Sequence, residues 1–369
     1  MEYEILRYRP DFLPGIATLQ QHLWGNSPAA NADYLEWKHL LNPFVTEPLV
    51  YVVLHAGSVV AMRGLYGAQW EFGESGDTAF VPCASDTVIA PAHRNQGLFA
   101  RLTATALADL AAAGHAYVLN LSAGPTTLLA CLATGWCNAG SLSLLSRRSR
   151  PVRVRDKLRR LLRRRRPDLD DRFAARYRAL RRRRDPFRSL DREAPRQGGV
   201  RFGTEPRPAE MAGLALRGRA NRIRHVRNEA FYSWRFANPG ARYRFLFHAG
   251  SRLDGYMVLQ ASPSSGTVRI VDWAGVDENV EGELLRVAIE RGRFDRISIW
   301  SATLSAAARK LLQDSGFEGE PALSVRDDRA VLLARHVRDG IPREEWKLGA
   351  YPILSLASWQ LHMIDCDGY

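Results

Sequence analysis

Residues suited to chemistry concentrate between Ser85 and Leu102. There Ser85-Asp86-Thr87-Val88-Ile89 reads as a strand, Ala90 to Gln96 as a short basic loop, and Gly97 opens an Ala/Leu-rich helix. The first amides of a helix have no intrahelical acceptors, and the helix dipole makes that end positive. A strand that runs straight into such an end therefore predicts an anion site. Arg94 adds a fixed charge at its mouth, and Gly97 lets ligand oxygens approach the backbone closely. Asp86 lies on the strand before the loop. Alternation puts it on the face of Val88, opposite Thr87 and Ile89.

The elements that must position these residues follow from hydrophobic patterning. Tyr3 to Tyr8 alternates as a strand, Pro10 to Gly25 is helical, and Asn31 to Leu41 predicts a second helix stopped by Asn42-Pro43. Strands are expected at Leu49 to His55 and Val59 to Tyr66, around the turn Ala56-Gly57-Ser58. One further strand covers Ala79 to Ile89. After the loop come a helix from Gly97 to Ala113, a buried strand at Ala116 to Leu121, a helix from Pro125 to Thr134, and a strand near Ser141 to Leu145.

From about Gly199 the order repeats weakly. Tyr34-Leu-Glu-Trp37-Lys38 with Asn42-Pro43 is echoed by Phe231-Tyr-Ser-Trp234-Arg235 with Asn238-Pro239. Strands at Tyr243 to His248, Gly255 to Gln260, Val268 to Trp273 and Ile297 to Trp300 follow, with helices at Val280 to Arg291 and Ser305 to Ser315. Duplication is the most economical explanation. The second copy lacks the basic loop: Asp277 and Glu278 stand where an anion site needs positive charge, and Asp272 loosely matches Asp86.

The net charge of +13 is local. Arg147 to Arg192 holds 21 of the 52 basic and 6 of the 39 acidic residues, leaving 31 basic against 33 acidic elsewhere. A generally basic nucleic-acid-binding surface is thus not supported. The segment itself patterns as two short amphipathic helices around Pro167. Cys83, Cys131, Cys137 and Cys366 show no metal-ligand spacing, so no metal is expected. The acidic start Met-Glu-Tyr-Glu and the lack of a long apolar run point to a cytoplasmic protein.

The Arg94-x-x-Gly97-x-Phe99 run after a hydrophobic strand end resembles the acetyl-coenzyme A motif of the GNAT acyltransferases, Arg/Gln-x-x-Gly-x-Gly/Ala. Phe99 departs from its third position. Asn120 at a strand end and Gly135-Trp136 after a helix resemble that superfamily's second motif. The resemblance spans most of 1–146 and, in element order, much of 199–330. It implies an α/β (α+β) fold of two GNAT-like units, each a mixed, mostly antiparallel sheet flanked by helices. The expected divisions are 1–146 for the coenzyme domain, 147–198 for an Arg-rich helical linker, and 199–369 for a unit without the loop.

By the same resemblance, amides from Asn95, Gln96, Gly97, Leu98 and Phe99 would cradle the pyrophosphate of acetyl-coenzyme A. Val88 and Ile89 would pair with its pantetheine arm, and Asp86 would serve as base. The tyrosine that faces the thiolate in the superfamily has no match in Leu128 to Cys131; Tyr117 and Cys131 are the substitutes. His55, His93 and His115 are scattered, with His93 beside the loop. Trp37 and Trp234 read as helix anchors.

The implied activity is acetyl transfer to a small amine. The tail Trp359-Gln-Leu-His-Met-Ile-Asp365-Cys-Asp367 resembles one found in large GNAT proteins encoded near surface-polysaccharide genes, which points to an amino sugar or sugar nucleotide. Two alternatives stay open. One is a tRNA-dependent aminoacyltransferase resembling the FemABX group. The other is a scaffold that docks Arg153–Arg188 on an anionic membrane, which would put the protein at the inner membrane face.

Overall fold

In the computed structural model the described residues are 2–148, 185–187, 190, 196–197, 199–218, 221–250, 252–262, 266–292, 294–319 and 330–367. In chain order the first half forms β1 (Glu4–Arg7), α1 (Leu13–Leu19), α2 (Gln21–Trp24), α3 (Pro28–Leu35), β2 (Leu49–His55) and β3 (Ser58–Tyr66). It continues with β4 (Gln69–Phe72), β5 (Asp77–Phe80), β6 (Cys83–Ile89), α4 (Leu98–Ala112), β7 (Tyr117–Asn120), α5 (Pro125–Ala133), β8 (Cys137–Ser141) and β9 (Leu144–Arg148). Next come β10 (Arg196–Gln197), β11 (Val200–Gly203), α6 (Pro208–Arg217), β12 (Arg224–His225), α7 (Glu229–Phe236), β13 (Tyr243–Ala249) and β14 (Leu253–Ala261). Then follow β15 (Thr267–Gly275), α8 (Glu278–Arg291), β16 (Arg296–Trp300), α9 (Ala306–Asp314), β17 (Glu318–Gly319), β18 (Val331–His336), β19 (Lys347–Leu348) and β20 (Tyr351–Pro352).

The chain divides into two units that do not follow each other simply along the sequence. Unit 1 comprises Met1–Ser143, Arg219–Ala241 and Val325–Tyr369, and unit 2 comprises Leu144–Gly218 and Arg242–Ser324. The boundaries expected at 146 and 199 therefore leave two segments, 219–241 and 325–369, that pack with the first half of the chain. The connecting segment Arg153–Arg188, with its expected helices and membrane contact, lies outside the described residues apart from Asp185–Phe187.

Unit 1 is built on a seven-stranded sheet in the order β1-β2-β3-β6-β7-β18-β8. Pairing is antiparallel except between β6 and β7. One face packs on α1 and α3 through Phe12, Ile16, Leu35, Val50, Val52, Met62 and Val88. The other packs on α4 and α5 through Tyr51, Val53, Leu65, Leu98, Leu102, Leu110, Cys131 and Trp136. Leu98, Leu102 and Leu110 recur at helical spacing, and the strand residues alternate between the two faces, so sequence period fixes which face each residue serves.

Unit 2 has an eight-stranded sheet in the order β10-β11-β13-β14-β15-β16-β9-β17. Its core gathers Leu246, Met257, Leu259, Ile270, Leu284, Val287, Ile299 and Leu312. Each sheet is completed by a strand from the other half of the chain, β18 in unit 1 and β9 in unit 2.

The structure corrects three local expectations. The single strand expected over Ala79 to Ile89 is two, β5 and β6, broken at Val81-Pro82, because proline cannot donate to a ladder. The last strand of the first half is likewise two, β8 and β9, and each joins a different sheet. The helix expected to reach Leu41 ends as a π turn, Glu36–Leu40.

Candidate functional site

The parallel pair β6 and β7 touches at a single register position, Cys83 with Leu119. Among the described residues no further pair joins the two strands, so the stretch of β6 that carries Asp86, Val88 and Ile89 pairs with β3 on one side and leaves its other edge without a strand partner. The free edge leads directly to the loop. Asn95 (φ 61°) and Gly97 (φ 68°) both adopt left-handed backbone, which turns the chain into α4. No atom lies within 4 Å of where a Gly97 side chain would begin.

The start of α4 is uncapped by any side chain, whereas α3, α7, α8 and α9 are capped by Ser27, Asn228, Asp277 and Ser305. The donors of its first turn are thus available to a ligand. Arg94 is exposed beside them and donates through Nε to the Ile89 carbonyl at 3.3 Å. Gln96 is exposed, and Leu98 is buried under the turn. The cradle, its cation and the open strand edge fit a long ligand with a pyrophosphate end. In unit 2 the corresponding helix start is filled by the Asp277 carboxylate, which accepts from Val280 N at 2.9 Å.

Val88 belongs to the core facing α1 and α3, while Ile89 packs toward α4, the alternation read from sequence. The register steps from Arg63–Thr87 to Gly64–Ser85, leaving Asp86 as the extra residue of a bulge. In unit 2 the same step leaves Val271 as the extra residue. Asp272 therefore sits one position past the counterpart of Asp86, where it accepts from the Tyr256 hydroxyl at 2.8 Å.

Asp86 is engaged rather than free. Its side chain is 1% exposed and accepts from Lys38 Nζ at 2.8 Å, and Lys38 also donates to Asp367 at 2.5 Å. His39 Nε2 lies 3.5 Å from the second Asp86 oxygen. Gly64 makes room for that imidazole, since a Cβ there would stand 2.7 Å from the ring. Burial alone would raise the Asp86 pKa; the Lys38 ammonium and then His39 override it and hold the carboxyl below its usual range. Burial would pull Lys38 down, but Asp367 and Asp86 keep it charged, and burial lowers His39. A carboxylate stabilised this way is a weak base.

The tail residues complete this cluster. Arg227 Nη2 donates to both oxygens of Asp365 at 3.0 Å, and Tyr66 and Tyr34 donate to the carbonyls of Asp365 and Asp367. Arg235 donates to the carbonyls of Ile364 at 2.9 Å and Cys366 at 2.7 Å. The Cys366 thiol meets the Leu121 carbonyl, just past β7. Trp37 and Trp234 stack at 5.3 Å and 12°, and each indole donates to the other's carbonyl at 2.7 Å. The echoed segments thus pair with local two-fold character, and their cations, Lys38 and Arg235, both hold the tail. Asn42 and Asn238 repeat the same turn, bonding Phe44 N and Gly240 N at 2.9 Å.

Other expected residues have plain roles. Asn120 is buried and accepts from Ser122 N at 2.9 Å, closing the end of β7. The Tyr117 hydroxyl accepts from Lys347 N at 3.0 Å, and the ring packs against His336. Cys131 is buried in the core. His93 bonds Tyr3 and packs on His55, and His115 packs on Phe80. Phe99, the departure from the expected small residue, covers the Arg63 guanidinium at 5.1 Å. Among the described residues no group of three or more His, Cys, Asp or Glu could hold a metal, and no helix is long and apolar enough to cross a membrane.

No family model matches the chain, and no curated protein matches its sequence. Solved structures do. A conserved protein of unknown function from Enterococcus faecalis V583, a probable N-acyltransferase, aligns at TM-score 0.62 and 12% identity, over 91% of this chain and 72% of that one. A GCN5-related N-acetyltransferase from Anabaena variabilis aligns at TM-score 0.57 and 13% identity, over 91% and 73%. A tandem GNAT protein from the clavulanic acid biosynthesis pathway aligns at TM-score 0.51 and 13% identity, over 91% and 99%. The fold is that of the GNAT acetyltransferases, present in two units.

Proposed function

We propose that unit 1 is an acetyl-coenzyme A-dependent N-acyltransferase acting on a small amine. The observation that carries this reading is the open β6 edge leading into the uncapped N-terminus of α4. The fold shared with acetyltransferases supports it. In this reading the amides of Asn95 to Phe99 and the Arg94 charge hold the pyrophosphate, and the backbone of Val88 and Ile89 aligns the pantetheine arm. The coenzyme supplies a thioester-activated acetyl group. Asp86 orients rather than abstracts: with Lys38 it fixes the charge at the bulge, and the acceptor enters as free amine after losing its proton to water.

The acceptor we propose is an amino sugar or sugar nucleotide of surface-polysaccharide synthesis, on the resemblance of the tail. Incubation of the protein with radiolabelled acetyl-coenzyme A and a panel of amines tests both levels. Labelled amino sugar is the expected product. Labelling of amino acids or polyamines alone would overturn the acceptor, and labelling of no amine would overturn the activity.

A further inference from the structure

Among the described residues of unit 1, one buried cation meets neither a counter-charge nor a backbone carbonyl. Arg63, on β3, is 2% exposed. Its Nη1 donates to Thr87 Oγ1 at 3.3 Å, and its guanidinium lies 5.1 Å from the Phe99 ring and 5.9 Å from the Trp136 ring. Among the described residues no carboxylate lies within ion-pair distance of it. The other buried cations among its described residues are met by anions or carbonyls: Lys38 by two aspartates, Arg224 by Glu71, Arg227 by Asp365, and Arg235 by two carbonyls. A guanidinium withdrawn from water is costly without an anion, and an apolar side chain would fill the same space without that cost. Burial accordingly draws its pKa down to about 10.

Its place indicates which anion is missing. Thr87 is on the stretch of β6 that pairs with β3 alone among the described residues, Phe99 is on the first turn of α4, and Trp136 follows α5. The guanidinium therefore reaches from β3 across β6, on the α4 side of the sheet. The exposed part of the proposed cradle, Arg94 to Gly97, lies beyond Ile89, and its last residue, Phe99, packs on the guanidinium. Arg63 pairs with Thr87, one residue from the bulge, on the side toward which the acyl end of a ligand aligned on β6 would run.

We propose that Arg63, acting across the Thr87 hydroxyl, stabilises the sulfur anion released from the acyl donor. This rests on the acyltransferase reading above. In the transfer the amine nitrogen bonds to the thioester carbonyl carbon and the C–S bond breaks with its electron pair left on sulfur. The proton lost from nitrogen reaches sulfur through solvent, so amide and thiol are the products. A fixed cation in a dry site is suited to charge that develops on sulfur. Arg63 is in this sense a positioning and charge-stabilising residue, not one that touches the acceptor.

The test uses free coenzyme A and needs no turnover. Calorimetry first establishes binding; the thiolate absorbance of the bound coenzyme is then followed against pH, with the titration of the protein alone subtracted. A cation several ångströms away at an effective dielectric near 20 lowers a thiol by on the order of one to two pH units. The wild type should show that shift, Arg63→Lys should keep part of it, and Arg63→Gln should lose it. Binding with an unshifted thiol in the wild type, or a shift that persists in Arg63→Gln, overturns the proposal and leaves the acyltransferase reading intact. Failure of the folded wild type to bind coenzyme A overturns the acyltransferase reading itself, and this proposal with it. If Arg63→Gln does not fold, the wild-type titration alone decides.

Discussion

Replacing Lys38 with methionine removes the cation that contacts both Asp86 and Asp367. At 2.8 and 2.5 Å each contact is worth about 6 kcal/mol at an effective dielectric near 20, most of it offset by desolvation. Removing one partner of a buried ionic cluster leaves the other charges uncompensated, so unit 1 should lose about 3–5 kcal/mol at pH 7. The variant also has a pH signature. In the wild type the Asp86 pKa is depressed, so its contribution is present above the unfolded value near 3.9 and lost only as pH falls through the lower folded value. In Lys38→Met the ammonium that opposes burial most strongly is gone and only His39 remains, so the Asp86 carboxyl moves up. The folded variant then takes up that proton more readily, and the penalty shrinks as pH falls. Urea titrations followed by tryptophan fluorescence at several pH values between about 7 and 4.5 should show the gap between variant and wild type narrowing with acid. A loss below about 1 kcal/mol, or a gap that does not change with pH, would refute the reasoning.

Asp86→Asn leaves Lys38 paired with Asp367 and should cost less, about 1–3 kcal/mol in the same titrations. Trp37→Ala and Trp234→Ala should each cost about 3–5 kcal/mol, and the double variant less than the sum, because both remove the same stack and indole bonds; strict additivity in thermal or urea unfolding would count against the paired arrangement. His225, fully buried among Phe44, Trp70 and Phe231, is driven down by burial to a pKa of about 4. The unfolded chain takes up that proton first, so stability should fall by about 3 kcal/mol as pH drops from about 6.5 to 4. His225→Phe should flatten that part of the profile, and an unchanged slope would contradict the assignment.

The strand-to-helix junction from β6 to α4 was legible because its signals are local: a hydrophobic strand end, a short basic loop and a glycine. The echo between Trp37-Lys38 and Trp234-Arg235 was also visible, but not that the two segments stack on each other, since this depends on pairing across nearly two hundred positions. For the same reason β9 and β18 could not be assigned to sheets; periodicity marks a strand and says nothing of its partner. Asp86 was located correctly on its face, yet its bulge is a property of the register with β3, and its cation comes from a helix 48 residues away. Arg63 gave no signal, because in sequence it is one basic residue within an apolar strand. Burial without a counter-charge is visible only once Phe99 and Trp136 close over it.

In the proposed reading the uncapped start of α4 and the β6 edge hold coenzyme A. Titration calorimetry of acetyl-coenzyme A and coenzyme A on the wild type, and on Gly97→Asp with Arg94→Ala, tests it most directly. The substitutions put a carboxylate and strained backbone in the cradle and remove its cation. The wild type should bind at micromolar order, and the variant should lose that binding while melting as the wild type does. Absence of binding by the folded wild type, or equal binding by both proteins, would contradict it.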